Sequence, residues 1–261
     1  MTAAPPSELA MMITRGRTVY RGLLGQPRQR TLGGLSIYAT AGDPFSIRIG
    51  DAPVQNSRIV LVPPNVPVTI SAPERLIDLI LIEPEFVPVG SSRRALDAAC
   101  VDGSAAHRRL LGAFSEWSRQ SQLLDCTDSA VDRYFFGRDL LPRRIDPRIA
   151  AAAALIAANS GDKHAAADHA AACGLSFSRF VHLFRDEVGM TFRSFCAWKR
   201  ARAMLAYVTK GSSLTEVALQ IGYPDSTHFS HSIRRIYGLR PRDIFSGSRR
   251  LAVHTESSPQ A

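Results

Sequence analysis

Two histidines three residues apart, His228 and His231, sit among hydroxyls and paired arginines in GYPDSTHFSHSIRRIYGLRP (222–241). Imidazoles at that spacing can hold a transition metal, move protons, or donate to bases and phosphates. A metal needs a third ligand, and none lies nearby in a suitable pattern. The first histidine of the chain is His107, so Asp78, Glu83 and Glu85 have no imidazole beside them and read as structural or solvated carboxylates. Cys100, Cys126, Cys173 and Cys196 are scattered without paired spacing, which excludes a zinc knuckle or disulfide framework and leaves buried free thiols. No G-x-S-x-G elbow and no phosphate-cradling glycine loop is present. The sequence therefore assigns no catalytic residue, no metal ligand and no cofactor, and recognition of another molecule becomes the leading use of these side chains.

A second copy of the pattern lies upstream. AAACGLSFSRFVHLFRDEVGMT (170–191) parallels ALQIGYPDSTHFSHSIRRIYGLRP (218–241). Ala170 precedes Gly174 by four, as Ala218 precedes Gly222. Phe180, Phe184 and Gly189 then match Phe229, Ile233 and Gly238. Small residue, tight glycine turn and an i, i+4 apolar pair spell helix, turn, helix. Ser176 caps the second helix of the first copy, and Asp225 or Ser226 that of the second. The outward positions repeat too: Ser178 and Thr227, His182 and His231, Arg185 and Arg234 share offsets from the inward Phe. A hydroxyl, an imidazole and a guanidinium on the open side of both helices can donate to bases and phosphates in a major groove. Between the copies, MTFRSFCAWKRARAMLAYVTK (190–210) reads as one helix of about 20 residues, about 30 Å long. That approaches the roughly 34 Å turn of B-DNA, so the connector is expected to seat two recognition helices in successive grooves.

The elements that must position these residues divide the chain. Residues 1–90 hold short β-rich runs, 35–40, 45–49, 58–62, 66–70 and 75–82, punctuated by Gly-Asp, Pro-Pro-Asn and Ala-Pro turns. They predict a small antiparallel barrel or sandwich. Residues 91–145 switch to helical spacing and read as a helical linker with dimer contacts. The boundary falls at LPRRIDP (141–147), after which Asp146 caps a helix opening with Pro147. A helical domain follows over 146–248, and 249–261 reads as a disordered tail. Charge follows the same division: 17 Arg against 14 carboxylates in residues 1–145, but 15 Lys/Arg against 9 in 146–261. The basic second part favours nucleic acid over a membrane as partner. Arg17 and Arg21 could grip an anion, though in so arginine-rich a chain the spacing is unremarkable. No apolar run reaches the roughly 20 residues of a membrane span, and MTAAPPSELAMMITRGR lacks signal-peptide order, so a cytoplasmic location is expected.

Residues 147–246 resemble the double helix-turn-helix module of the AraC/XylS family of bacterial transcription regulators. Residues 222–241 are similar to its second-motif signature, G-F-x-D-x-(S/T)-x-F-S-R-x-F-(K/R)-(K/R)-x-F-G-x-x-P, and SFSRFVHLFRDEVGMTF to its first motif. The resemblance implies base-facing roles for Ser178, Val181 and His182, and for Ser226, Thr227 and His231. It implies phosphate contacts or ion pairs within the module for Arg179, Arg185, Arg234 and Arg235. His231 replaces the signature Arg, and Ile233 the signature Phe. Family members pair the module with an N-terminal effector-binding or dimerisation domain, often a cupin-like barrel. VPPNVPVTI is similar to the cupin stretch I-P-P-G-x-P-H, with Asn65 for Gly and Val68 for His. The expected architecture is an α+β two-domain chain, with a cupin-like β-barrel or sandwich, linker helices and a C-terminal all-α double helix-turn-helix domain. The implied partners are double-stranded promoter DNA, a second copy in a homodimer, RNA polymerase for an activator, and a small-molecule effector or regulatory protein. The competing expectations are a repressor and a metal-free cupin-type enzyme or ligand-binding protein. The alkyl-transfer repair proteins that carry a similar DNA module need a P-C-H-R cysteine, which this chain lacks.

Overall fold

Residues 76–82 read LIDLILI, apolar at almost every position, as a strand covered on both faces requires. In the computed structural model, which describes residues 9–26, 28–73, 76–120, 124–248 and 251–255, this strand is central. Numbered in chain order it is β9 (Leu76–Ile82), antiparallel to β2 (Arg17–Leu23) on one side and β4 (Leu35–Ala39) on the other. β1 (Ala10–Ile13) extends the sheet beyond β2, and β7 (Ile59–Val62) extends it beyond β4. A second sheet runs β3 (Gln29–Arg30), β8 (Val68–Ser71), β5 (Phe45–Ile49), β6 (Gln55–Ser57). The two sheets are not closed into one barrel. Asn65, the residue that replaces glycine in the cupin-like stretch, takes a φ of 59°, a conformation asparagine tolerates better than most residues.

Alternation along β9 assigns its two faces. Ile80 and Ile82 join Val19 and Ile37 against three helices, α1 (Gly90–Ala99), α2 (Ala105–Gln120) and α3 (Asp128–Phe136), which contribute Leu96, Phe114, Trp117 and Phe135. Ile77 and Leu81 instead join Tyr38, Phe45, Ile47, Val68 and Ile70 in a core shared with the second sheet. Each fully enclosed large side chain of this kind contributes about 1.5–3 kcal/mol. The helices α1, α2 and α3 thus cover one face of the large sheet. Arg17 crosses to α3 in a buried bidentate pair with Asp132 at 2.8 and 2.9 Å, and Arg21 pairs with Asp78. Both arginines are occupied in the fold. All four cysteines are free, as expected, and half-buried; burial pushes Cys100 and Cys196 up to about 11.

The second part is helical: α4 (Pro147–Ala158), α5 (Ala166–Ala172), α6 (Phe177–Val188), α7 (Phe192–Ala203), α8 (Leu214–Gln220), α9 (Ser226–Tyr237) and α10 (Pro241–Gly247). Two expectations are corrected. The connector is not one helix of about 20 residues: α7 spans 12 residues, about 18 Å, and passes into a 3-10 turn over Met204–Tyr207. Met204 and Val208 are buried there, continuing the inward face that Trp198 and Ala201 set on α7. The tail is not wholly disordered. Ala252–Thr255 forms β10, which lies parallel to β1 with Ala10 opposite Ala252 and Ile13 opposite Thr255. The chain returns from the helical part to complete the edge of its first sheet, and Leu251 is buried beside Met11 and Val208. The remainder of that tail, 249–250 and 256–261, lies outside the described residues.

Candidate nucleic-acid interface

Each recognition helix is built by the same local chemistry. Gly174 and Gly222 adopt φ of 64° and 80° between the paired helices, a left-handed conformation that glycine takes without a Cβ penalty. A Cβ on Gly222 would also collide with the Gly161 carbonyl, so the second turn is closed to any larger residue. Ser176 accepts from the Arg179 amide to cap α6, and Asp225 accepts from the Thr227 and His228 amides to cap α9. Both helices end in a left-handed glycine, Gly189 and Gly238. Phe180 and Phe184 are fully buried on α6, as are Phe229 and Ile233 on α9. Ile233 fills the position of the signature Phe within that core.

The opposite face of each helix is open. On α6, Ser178, Arg179, His182 and Arg185 are exposed and Val181 is half-buried. On α9, Thr227, His231, Arg234 and Arg235 are exposed and Ser226 is half-buried. Every residue assigned to DNA thus lies on a recognition helix, and the four arginines flank the outward positions. His228 separates from His231: its Nδ1 lies 2.8 Å from the Asp225 carboxylate. The His228 amide and ring hold that carboxyl below the usual carboxylate range. His228 therefore braces the cap and leaves His231 as the outward imidazole of α9. Among the described residues no group of three or more His, Cys, Asp or Glu could hold a metal ion, and no helix is long and apolar enough to cross a membrane.

Sequence reasoning missed what holds this module to the sheets. Trp198, Lys199 and Arg202 on α7 converge on Glu83, just beyond β9. Glu83 is fully buried and accepts from Trp198 Nε1 at 2.9 Å and Lys199 Nζ at 2.5 Å, with Arg202 Nε 2.6 Å away. Burial opposes its charge, but Arg202 and Lys199 outweigh that and hold Glu83 below the ordinary range. Lys199 also reaches Glu85 at 2.6 Å; there burial dominates and the carboxyl is pushed up. Trp198 packs so tightly on Gly33 that a Cβ there would enter the indole. The Ile236 carbonyl of α9 accepts from the Thr31 amide at 2.9 Å, tying the second recognition helix to the loop after β3.

Between the two parts lies a cavity of about 210 Å³. Leu79 and Leu81 of β9 form one wall, Leu205 and Val208 another, and Ile244 and Leu251 a third. Thr18 Oγ1, Tyr38 Oη and Arg30 Nε, all from lining residues, are buried without a hydrogen-bond partner among the described residues. Burial pushes the Tyr20 and Tyr38 hydroxyls up to about 12, so both stay neutral. The site is apolar, with a guanidinium and a phenol at its polar side.

Residues 169–246 match a protein family described as a helix-turn-helix domain. Comparison with curated proteins finds no match. Among solved structures, an apo variant of ToxT from Vibrio cholerae is similar over 89% of this chain and 97% of that one, at 12% identity and a TM-score of 0.58. ToxT from Vibrio cholerae O395 is similar over 88% and 96%, at 13% identity and 0.57. Wild-type ToxT from the same species bound to an unsaturated fatty acid is similar over 89% and 96%, at 10% identity and 0.52. These likenesses are of fold, and they run through both parts of the chain. The chain thus carries a helix-turn-helix domain at residues 169–246 behind a β-rich N-terminal region, in a two-part fold similar to that of ToxT.

Proposed function

We propose that the chain binds promoter DNA as a homodimer and activates transcription, with α6 and α9 in successive major grooves and an effector in the interdomain cavity. Ser178, Val181 and His182 face bases in one groove; Ser226, Thr227 and His231 face them in the next. Arg179, Arg185, Arg234 and Arg235 neutralise phosphates. The observation that carries this reading is the open polar face repeated at matching offsets on both capped recognition helices. A histidine in place of the signature arginine shortens the reach of α9, so its base preference is its own.

The decisive measurement is binding of the full chain to a selected duplex and to random DNA across a salt series. His182→Ala or His231→Ala is expected to cost about 1–3 kcal/mol on the selected duplex and less on random DNA. Each neutralised phosphate steepens the log–log salt slope by about 0.9, and Arg234→Ala is expected to flatten it by about 1. Equal losses on both DNAs would make the histidines backbone contacts. A salt-independent affinity would remove the phosphate contacts altogether.

For the effector, a specific observation favours a small amphiphile with one anionic or strongly accepting head over a regulatory protein. The cavity is apolar, and its orphaned polar atoms include Arg30 Nε and Tyr38 Oη. ToxT, which shares the fold, has been seen with an unsaturated fatty acid. Titration with oleate, monitored by Trp198 fluorescence, tests this: saturable binding weakened by Arg30→Met supports it. Binding that ignores Arg30 moves the head group elsewhere.

A further inference from the structure

The two recognition helices are alike in build but not in what they show to DNA. Superposing the repeats on Phe180 and Phe229 sets Phe177 against Ser226 and Val181 against Ser230. The first helix therefore carries two apolar residues, one turn apart on the same face, where the second carries two hydroxyls. Phe177 is the first residue of α6 and is 58% exposed, while Phe180 and Phe184 are fully buried. Its position needs no apolar side chain for the helix start. Ser176 already supplies the cap, and the staple across a helix start joins the residue before the cap to the fourth helical residue. Here those are Leu175 and Phe180, both in the core of this module. Val181, half-buried beside it, extends the apolar strip toward His182.

We infer that Phe177 is a further specificity-determining residue, which with Val181 reads thymine 5-methyl groups in the groove entered by α6. This rests on the reading that α6 enters a major groove. The first residues of a recognition helix are those that reach base edges, and thymine alone displays a methyl there, a partner for apolar side chains. Ser226 and Ser230 have no such surface, so the groove entered by α9 is read through hydroxyls and His231. The bound sequence is consequently asymmetric: methyl-bearing thymines under α6, hydrogen-bonding edges under α9.

The test removes only the methyl. A preferred duplex is selected with the full chain, and the half-site under α6 is located as the one where His182→Ala relaxes base preference. Each thymine in both half-sites is then replaced singly by deoxyuridine. One or two thymines under α6 are expected to lose about fourfold in affinity, the factor for one buried methyl. No thymine under α9 is expected to show that loss. Phe177→Ala is expected to bind the thymine duplex as weakly as the unsubstituted chain binds the uracil one, and to ignore the replacement. Phe177→Leu is expected to keep part of the sensitivity. Indifference of the unsubstituted chain at every thymine overturns the inference, and so does undiminished sensitivity in Phe177→Ala. A selection that yields no preferred duplex overturns the groove reading beneath it, and is told apart by that earlier failure.

Discussion

Glu83 is the place where one substitution measures the contact between the two parts of the molecule. Its carboxylate is fully enclosed, with Trp198 Nε1 and Lys199 Nζ on one oxygen and Arg202 Nε on the other. In Glu83→Gln the amide keeps one accepting oxygen, but its NH2 turns toward a cation. Breaking a buried pair from one side costs about 3–5 kcal/mol, because the remaining charge stays buried without its partner. Lys199 retains Glu85 at 2.6 Å, and Arg202 retains the Thr14 carbonyl at 2.7 Å. These remaining contacts place the expected loss at the low end, about 3 kcal/mol. For a chain of this size that lowers the unfolding temperature by about 6–12 °C. Urea and thermal unfolding followed by tryptophan fluorescence read the loss, with Trp198 reporting directly on the altered contact. Replacing Glu83, Lys199 and Arg202 with methionine and Glu85 with glutamine, which removes every charge of the cluster including the Glu85 partner of Lys199, is expected to cost less than Glu83→Gln, since no charge is then stranded. A loss below about 1 kcal/mol for Glu83→Gln, or a fourfold replacement as costly as the single one, would refute the reasoning.

Three further outcomes are expected. Burial pushes the Asp78 carboxyl up to about 6 against the pull of Arg21. The folded state then binds a proton that the unfolded chain, with a value near 3.8, releases. The Asp78 contribution therefore becomes more favourable as pH falls from about 6 to about 4, by about 1.4 kcal/mol per pH unit at most. Comparing denaturation of the unsubstituted chain with Asp78→Asn across that range isolates it; no change in the difference would contradict the burial. Gly222→Ala puts a Cβ on a left-handed residue and into the Gly161 carbonyl, and should cost more than about 2 kcal/mol in denaturant titrations. Asp225→Ala removes the cap of α9 and the partner of His228, with an expected loss of about 1 kcal/mol in thermal unfolding.

What was legible in the sequence was local. Asp146 before Pro147, Ser176 three residues before Arg179, and Gly222 before a capped helix are short-range signals, and each appears in the structure in the role its chemistry dictates. FSIRI at 45–49 and LIDLILI at 76–82 became strands because their apolar periods leave little alternative. The outward faces of α6 and α9 were legible through repetition, since the same side chain recurs at the same distance from an inward Phe. Long-range chemistry was not legible. RTVYRGL forms β2 with a charged residue at its start, because Arg17 meets Asp132 on a helix 115 positions away. The clasp on Glu83 joins residues 115 and 116 positions apart, and nothing near LIEPEF announces a partner. The connector read as one helix because its helix-forming residues continue through Tyr207. The α-helix nevertheless gives way to a 3-10 turn at Met204–Tyr207, and no glycine or proline between Phe192 and Lys210 marks that change.

The parallel strand at 252–255 gives the molecule an order of assembly. During synthesis β1 and β2 emerge early and can pair at once, but the outer edge of β1 has no partner until about 240 further residues have been added. At about 5–20 residues per second that edge stays open for roughly 12–50 s. An open edge can accept a strand from a neighbouring nascent chain, so the interval is one in which copies made on the same message could entangle. Because the strand that seals it follows directly on α10, the N-terminal sheet is completed only after the helix-turn-helix part has left the ribosome.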